Sequence, residues 1–152
     1  MSDETMELFI ERKAFLVATT YLADGMDVSH AAPELQAKAA EVFPRARETI
    51  SKAIARGVRI ACGTDAPAIP HGRNAKELIA LVDRGMTPLQ AIRAATTVSA
   101  ELIDVDDRGR LEPGLLADIV AVPGNPLDDI GVTEDIRFVM KGGEVYRNEV
   151  AQ

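Results

Sequence analysis

The sequence has one Cys, two His, no Trp, and only four Phe and two Tyr among its 152 residues. A lone Cys62 excludes an intrachain disulfide, and within its apolar run the thiol reads as a small buried hydrophobe. So few aromatic rings leave no platform on which single-stranded nucleic acid could stack. No stretch approaches the ~18 uninterrupted apolar residues of a membrane span. Met1-Ser2-Asp3-Glu4-Thr5-Met6-Glu7 has neither the basic start nor the apolar centre of a secretory signal, so a cytoplasmic location is expected. Cations are scarce in one region only. Residues 1–100 carry 12 acidic and 12 basic side chains, whereas residues 101–152 carry 12 and 5, so the whole net charge of −7 arises there. That excess reads as a solvated acidic surface and argues against nucleic acid and anionic membrane as partners.

What is present suits a globular chain able to bury a sizeable core, with 47% hydrophobic and 27% charged residues. Met6, Phe9 and Ile10 make a helical stripe over residues 3–12. The apolar, β-branched run 14–22 predicts a strand buried on both faces. A loop over 23–32 carries Gly25 and His30. Pro33 opens a long Ala-rich helix to Arg56, with Gly57 as its stop and Pro44 expected to break or kink it. The run 58–63 is a second strand, so the order strand, helix, strand predicts a parallel βαβ unit. Asn74-Ala75-Lys76-Glu77 and Thr87-Pro88-Leu89-Gln90 both resemble capping boxes that open helices. Leu89, Ile92, Thr96, Ser99 and Ile103 recur at helical spacing along one face. Beyond Asp104 the pattern changes to turns and short strands: 117–122, then 137–141 and 144–147 flanking Gly142-Gly143 as a hairpin. An α/β part over 1–104 and a β part over 105–152 are expected.

Asp65 stands out chemically. The run Val58-Arg59-Ile60-Ala61-Cys62-Gly63-Thr64-Asp65 delivers a carboxylate to the carboxyl end of a strand, where parallel α/β proteins place their chemistry. Thr-Asp before Ala-Pro is also good turn chemistry, so a loop-capping role stands beside a catalytic one. His71 lies in the following Gly/Pro loop, either near the candidate site or as a surface residue. His30 reads as a solvated loop residue, and nothing in the spacing requires His30, His71 and Asp65 to form one site. Asn74 is first a helix cap, and Asp118 a structural residue of the β part.

In order along the chain, Gly57–Ala66, Pro70-His71-Gly72-Arg73-Asn74, Gly85–Thr96, Gly109–Gly114, Ala117-Asp118-Ile119-Val120 and Asn125–Ile130 resemble the carboxyl-terminal portion of the amidohydrolase superfamily. The resemblance is to its imidazolonepropionase-like and prolidase-like branch of metal-dependent hydrolases. It implies a partial (β/α)8 TIM-barrel segment, the last two strand–helix units, followed by a small β-sandwich portion. Asp65 then corresponds to the last-strand aspartate that binds a divalent metal, usually zinc, and takes a proton from the attacking water. Beside a divalent cation such a carboxylate stays ionised, and the cation acidifies bound water. His71 falls in the loop near substrate entry. The substrate implied is a small-molecule amide, peptide-like or cyclic.

The other family ligands have no counterpart at matching positions. A zinc site takes about three protein ligands, and Asp65 is the one in place, so no metal is expected in an isolated monomer. Two readings follow. In the first, the chain is part of a hydrolase of C–N bonds that works only with the missing strands, supplied by a complementary barrel-forming chain or by a longer parent. In the second, it is a non-catalytic, truncated descendant acting as an oligomeric scaffold or binding module.

Overall fold

The computed structural model describes residues 1–150 as an α/β fold with two small sheets. Helix α1 (Asp3–Glu11) starts where Ser2 caps it, its hydroxyl accepting from the Thr5 amide at 3.2 Å. Strand β1 (Phe15–Ala18) pairs in parallel with β2 (Arg59–Cys62), with Leu16 opposite Ile60 and Ala18 opposite Cys62. The connection between them holds a short helix α2 (Leu22–Gly25) and the 23-residue helix α3 (Pro33–Ala55).

Period-two alternation sorts the two faces of this sheet. Leu16, Ala18 and Ile60 face the helices and join Met6, Ala53, Leu81 and Ala94 in the core. Met6 and Leu81 are fully buried, and each such burial contributes about 1.5–3 kcal/mol. On the other face the Arg59 guanidinium lies 4.1 Å from the centre of the Phe15 ring. There Val17 is left 49% exposed. Among the described residues the sheet has only these two strands, so each keeps one unpaired edge.

Three sequence expectations need correction. The strand expected over 14–22 ends at Ala18, because the amides of Thr20 and Tyr21 are taken by a side chain, Glu77, and Leu22–Gly25 turns helical. Pro44 does not break α3. Pro44 and Ala40, whose carbonyl loses its intrahelical donor there, both face solvent, so water satisfies the carbonyl. The helix expected beyond Thr87 is two helices, α5 (Pro88–Ala95) and α6 (Thr97–Leu102). At the junction Thr96 donates to the Ile92 carbonyl at 2.7 Å and Ser99 to the Ala94 carbonyl at 2.6 Å, competing for the bonds that would continue the first helix.

Helix α4 (Lys76–Asp83) and α5 pack beside each other, and α5 and α6 both lie against β2. The capping box at Thr87 forms as expected, with Gln90 accepting from the Thr87 amide at 2.8 Å. The second sheet has the antiparallel order β3 (Ile119–Ala121), β4 (Phe138–Lys141), β5 (Glu144–Asn148). Gly142 and Gly143, at φ 56° and 84°, supply the two positive φ values of a tight hairpin turn. A 3-10 helix, Ile130–Glu134, packs on α4, where Lys76 pairs with Glu134 at 2.7 Å. Among the described residues no helix is long and apolar enough to cross a membrane.

Candidate functional site

The carboxyl ends of β1 and β2 lie side by side. The Gly63 amide donates to the Ala18 carbonyl at 2.7 Å, carrying the pairing one residue past β2. Gly63 is needed there, since a Cβ would stand 2.8 Å from Val17 Cγ1. The chain then turns sharply. Asp65 sits at φ 51°, in the left-handed region that Asp enters more readily than most residues, and it is exposed. Buried Ile69 anchors the far side of the turn, its amide reaching the Asp65 carbonyl at 3.4 Å. The carboxylate at this strand end is thus open to solvent, on the side where parallel α/β proteins carry their sites.

Helix α4 braces both strand ends. Just ahead of it, the Asn74 side-chain amide donates to Thr64 Oγ1 at 3.3 Å, beside Asp65. In its first turn, Glu77 is 1% exposed, and its two carboxylate oxygens accept the Thr20 amide at 2.8 Å and the Tyr21 amide at 2.7 Å. Burial pushes the Glu77 carboxyl up to about 7, against the two amides and Arg84, which favour its charged form. Arg84 and Arg47 both pair with Asp24 of α2, so α2, α3 and α4 meet at one acidic side chain. The capping box expected at Asn74–Glu77 is therefore absent: Ala75 precedes α4 without a side-chain cap. Both polar residues are drawn instead into bonds with the strand ends.

His71 is exposed in the turn closed by the Arg73 amide and Pro70 carbonyl at 3.2 Å, and His30 is exposed in the loop before α3. Among the described residues, no three His, Cys, Asp or Glu side chains come together as a metal-binding group. His30, His71 and Asp65 thus do not form one. Cys62 is half-buried, its thiol pushed up to about 12 chiefly by burial and then by the Glu77 charge. Behind Thr64 and Asn74 lies an apolar cavity of about 450 Å³, walled by Leu78, Ile92, Val120 and Ile136. Sequence reasoning missed Glu77 and Thr20 as a pair. The available signal was an Asn-x-x-Glu box whose Glu sits on the core-facing side of its helix.

The structure is thus an α/β protein with an exposed aspartate, Asp65, just past its second parallel strand. The model of the Amidohydrolase family matches residues 1–147, and the chain belongs to that family. It is 34% identical over 154 residues to ochratoxinase of Aspergillus niger, spanning 95% of this chain and 32% of that protein. Among solved structures, a Xaa-Pro dipeptidase with methionine bound in its active site superposes with a TM-score of 0.90 at 40% identity. That likeness covers 97% of this chain and 38% of the dipeptidase. The structure of the A. niger ochratoxinase gives a TM-score of 0.82 at 35% identity, covering 97% of this chain and 35% of that one. The chain thus spans about a third of the length of the relatives it matches.

Proposed function

We propose that this chain forms the carboxyl-terminal, metal-facing part of an amidohydrolase that cleaves C–N bonds in a peptide-like or amide substrate. In this reading β1 and β2 are the last two strands of a (β/α)8 barrel, and β3–β5 belong to a small sandwich beside it. The observation that carries the reading is Asp65, held at φ 51° at the end of β2 within a fold that follows a Xaa-Pro dipeptidase over 97% of this chain. Amidohydrolases generally use divalent metals, but the donors here do not make a site by themselves. A metal centre of this kind takes about three protein ligands with a position left open, and Asp65 offers one. In this reading the remaining ligands lie on the other barrel strands, supplied by a complementary chain or by a longer parent of these residues.

Within that frame Asp65 contributes a carboxylate as ligand and proton acceptor, and His71 contacts the substrate from the adjoining loop. The Xaa-Pro dipeptidase and ochratoxinase likenesses support a substrate with an amide or peptide-like bond. Metal content per chain on the main size-exclusion peak, after zinc addition, tests the reading in wild type and Asp65→Asn. Metal held by wild type and lost in the variant supports it. Equal metal in both proteins removes Asp65 as a ligand, and none in either means that copies of this chain do not complete the site between them.

A second reading has its own observation. The two-stranded parallel sheet keeps an open edge on each strand, and Val17 is half exposed on the face away from the helices. Proteins ordinarily cover such edges and apolar surface. A non-catalytic oligomer that pairs these edges would do so without a metal. Light scattering distinguishes it: a stable monomer across the micromolar range counts against any self-assembled scaffold.

A further inference from the structure

We propose that Glu77 is a positioning residue that works as a proton-operated latch: charged, it holds the chain leaving β1 firmly by two backbone amides, and neutral, it holds one of them only weakly. The geometry is that of a clamp. Its Oε1 takes the Thr20 amide and its Oε2 the Tyr21 amide, at 2.8 and 2.7 Å, so each oxygen has its own donor. An ionised carboxylate accepts strongly on both oxygens, whereas in a carboxylic acid one oxygen carries the proton and accepts only weakly. Protonation therefore leaves one of two consecutive amides with a weakened acceptor. Those amides lie where β1 stops pairing and the chain bends into α2, so no ladder bond replaces the one weakened.

The surroundings suit two protonation states. Thr20 Oγ1 is buried without a hydrogen-bond partner, on the residue that Glu77 already holds, and a neutral carboxyl needs such an acceptor. Charged groups facing Glu77 come from several elements. Arg84 of α4 favours the anion and Asp24 of α2 opposes it. Arg47 of α3 is paired with Asp24 at 2.7 Å and offsets its charge. Cys62 of β2 feels the Glu77 charge but stays a neutral thiol, its own titration lying at about 12. Burial of Glu77 outweighs the favourable contacts and sets its titration at about 7, where a small change in pH changes its charge. The latch concerns only the packing of α4 on β1 and holds whether or not the neighbouring site binds metal or hydrolyses anything.

Nuclear magnetic resonance on the labelled chain tests it, following the Glu77 Cδ resonance and the Thr20 and Tyr21 amides from about pH 5 to about pH 9. The expected result is one shared transition near neutrality, with an amide proton moving upfield as the pH falls. In Glu77→Gln that transition disappears and the amides stay fixed. A Glu77 Cδ resonance that titrates in the ordinary carboxylate range overturns the proposal, as do amides that do not move with it. A transition that survives Glu77→Gln and vanishes in Asp24→Asn overturns it as well. If Glu77→Gln does not fold, the correlation of Cδ with the two amides in the wild type decides alone.

Discussion

Thr20 and Glu77 stand 57 positions apart in the chain, yet the backbone amide of the first donates to the carboxylate of the second at 2.8 Å inside the protein. The bond fastens α4 to the end of β1, and its charge state enters the stability of the whole chain. The Glu77 carboxyl titrates at about 7 in the folded protein and at 4.5 in an unperturbed chain. Between those values the folded state binds more protons than the unfolded one, so stability falls as the pH rises. The contribution is fully present below about pH 4.5 and is lost as the pH passes about 7. Its size is on the order of 3 kcal/mol, since each tenfold difference in proton affinity between the two states is worth about 1.36 kcal/mol. Urea unfolding at pH steps across that window should show wild type losing stability relative to Glu77→Gln. Parallel curves for the two proteins would remove the effect.

Glu77→Ala is a harsher change. It strips two amides of their acceptor, one of them buried. Leaving a buried donor unsatisfied costs about 1–3 kcal/mol, and the lost side chain adds a cavity beside Leu81. A destabilisation of about 2–5 kcal/mol at pH 6 is expected, read from the urea midpoint. A loss below about 1 kcal/mol would mean that water replaces the carboxylate and that α4 does not depend on it.

Much of this architecture could be read from residue patterns. Thr87 and the pair Gly142-Gly143 act locally, through a cap and a turn, and the structure places them as their chemistry implies. Asp65 falls at the end of the second strand because the apolar run before it is long enough to form one. The bracing of the site was not legible. Asn74 and Glu77 carry the side chains of a capping box, and the same oxygen and amide groups serve equally well as tertiary partners. Only the fold brings Thr64, Thr20 and Tyr21 within their reach. Thr96 was equally ambiguous, since its spacing fits a helix while its hydroxyl competes for the helix's own carbonyl.

Pro44 offers a test in the opposite direction, toward greater stability. It lies inside α3, exposed, where it removes one intrahelical donor. In a helix interior proline is about 3 kcal/mol less favourable than Ala, and here part of that is recovered because the freed carbonyl is hydrated. Pro44→Ala should raise stability by about 1–3 kcal/mol, seen as a higher melting temperature with an unchanged circular dichroism spectrum. A lower melting temperature would show that the proline ring makes packing contacts that outweigh its helix penalty.

Gly63 is where the two strand ends approach most closely, and its replacement should be felt at the site. A Cβ there would sit 2.8 Å from Val17 Cγ1, 3.2 Å from the Ala18 carbonyl oxygen and 3.2 Å from Thr19 Cγ2. The first clash is with a side chain that is half exposed and can be shortened; the second is with backbone and cannot. Gly63→Ala should therefore destabilise by about 1–3 kcal/mol, as overpacking does, and Val17→Ala should restore part of that in the double variant. Val17→Ala alone should cost little, because the residue buries only half its surface. A double-mutant cycle from urea unfolding measures the coupling. Strict additivity would mean that the backbone contact with Ala18 carries the whole cost, and that β1 and β2 are held apart at Gly63 by the main chain alone.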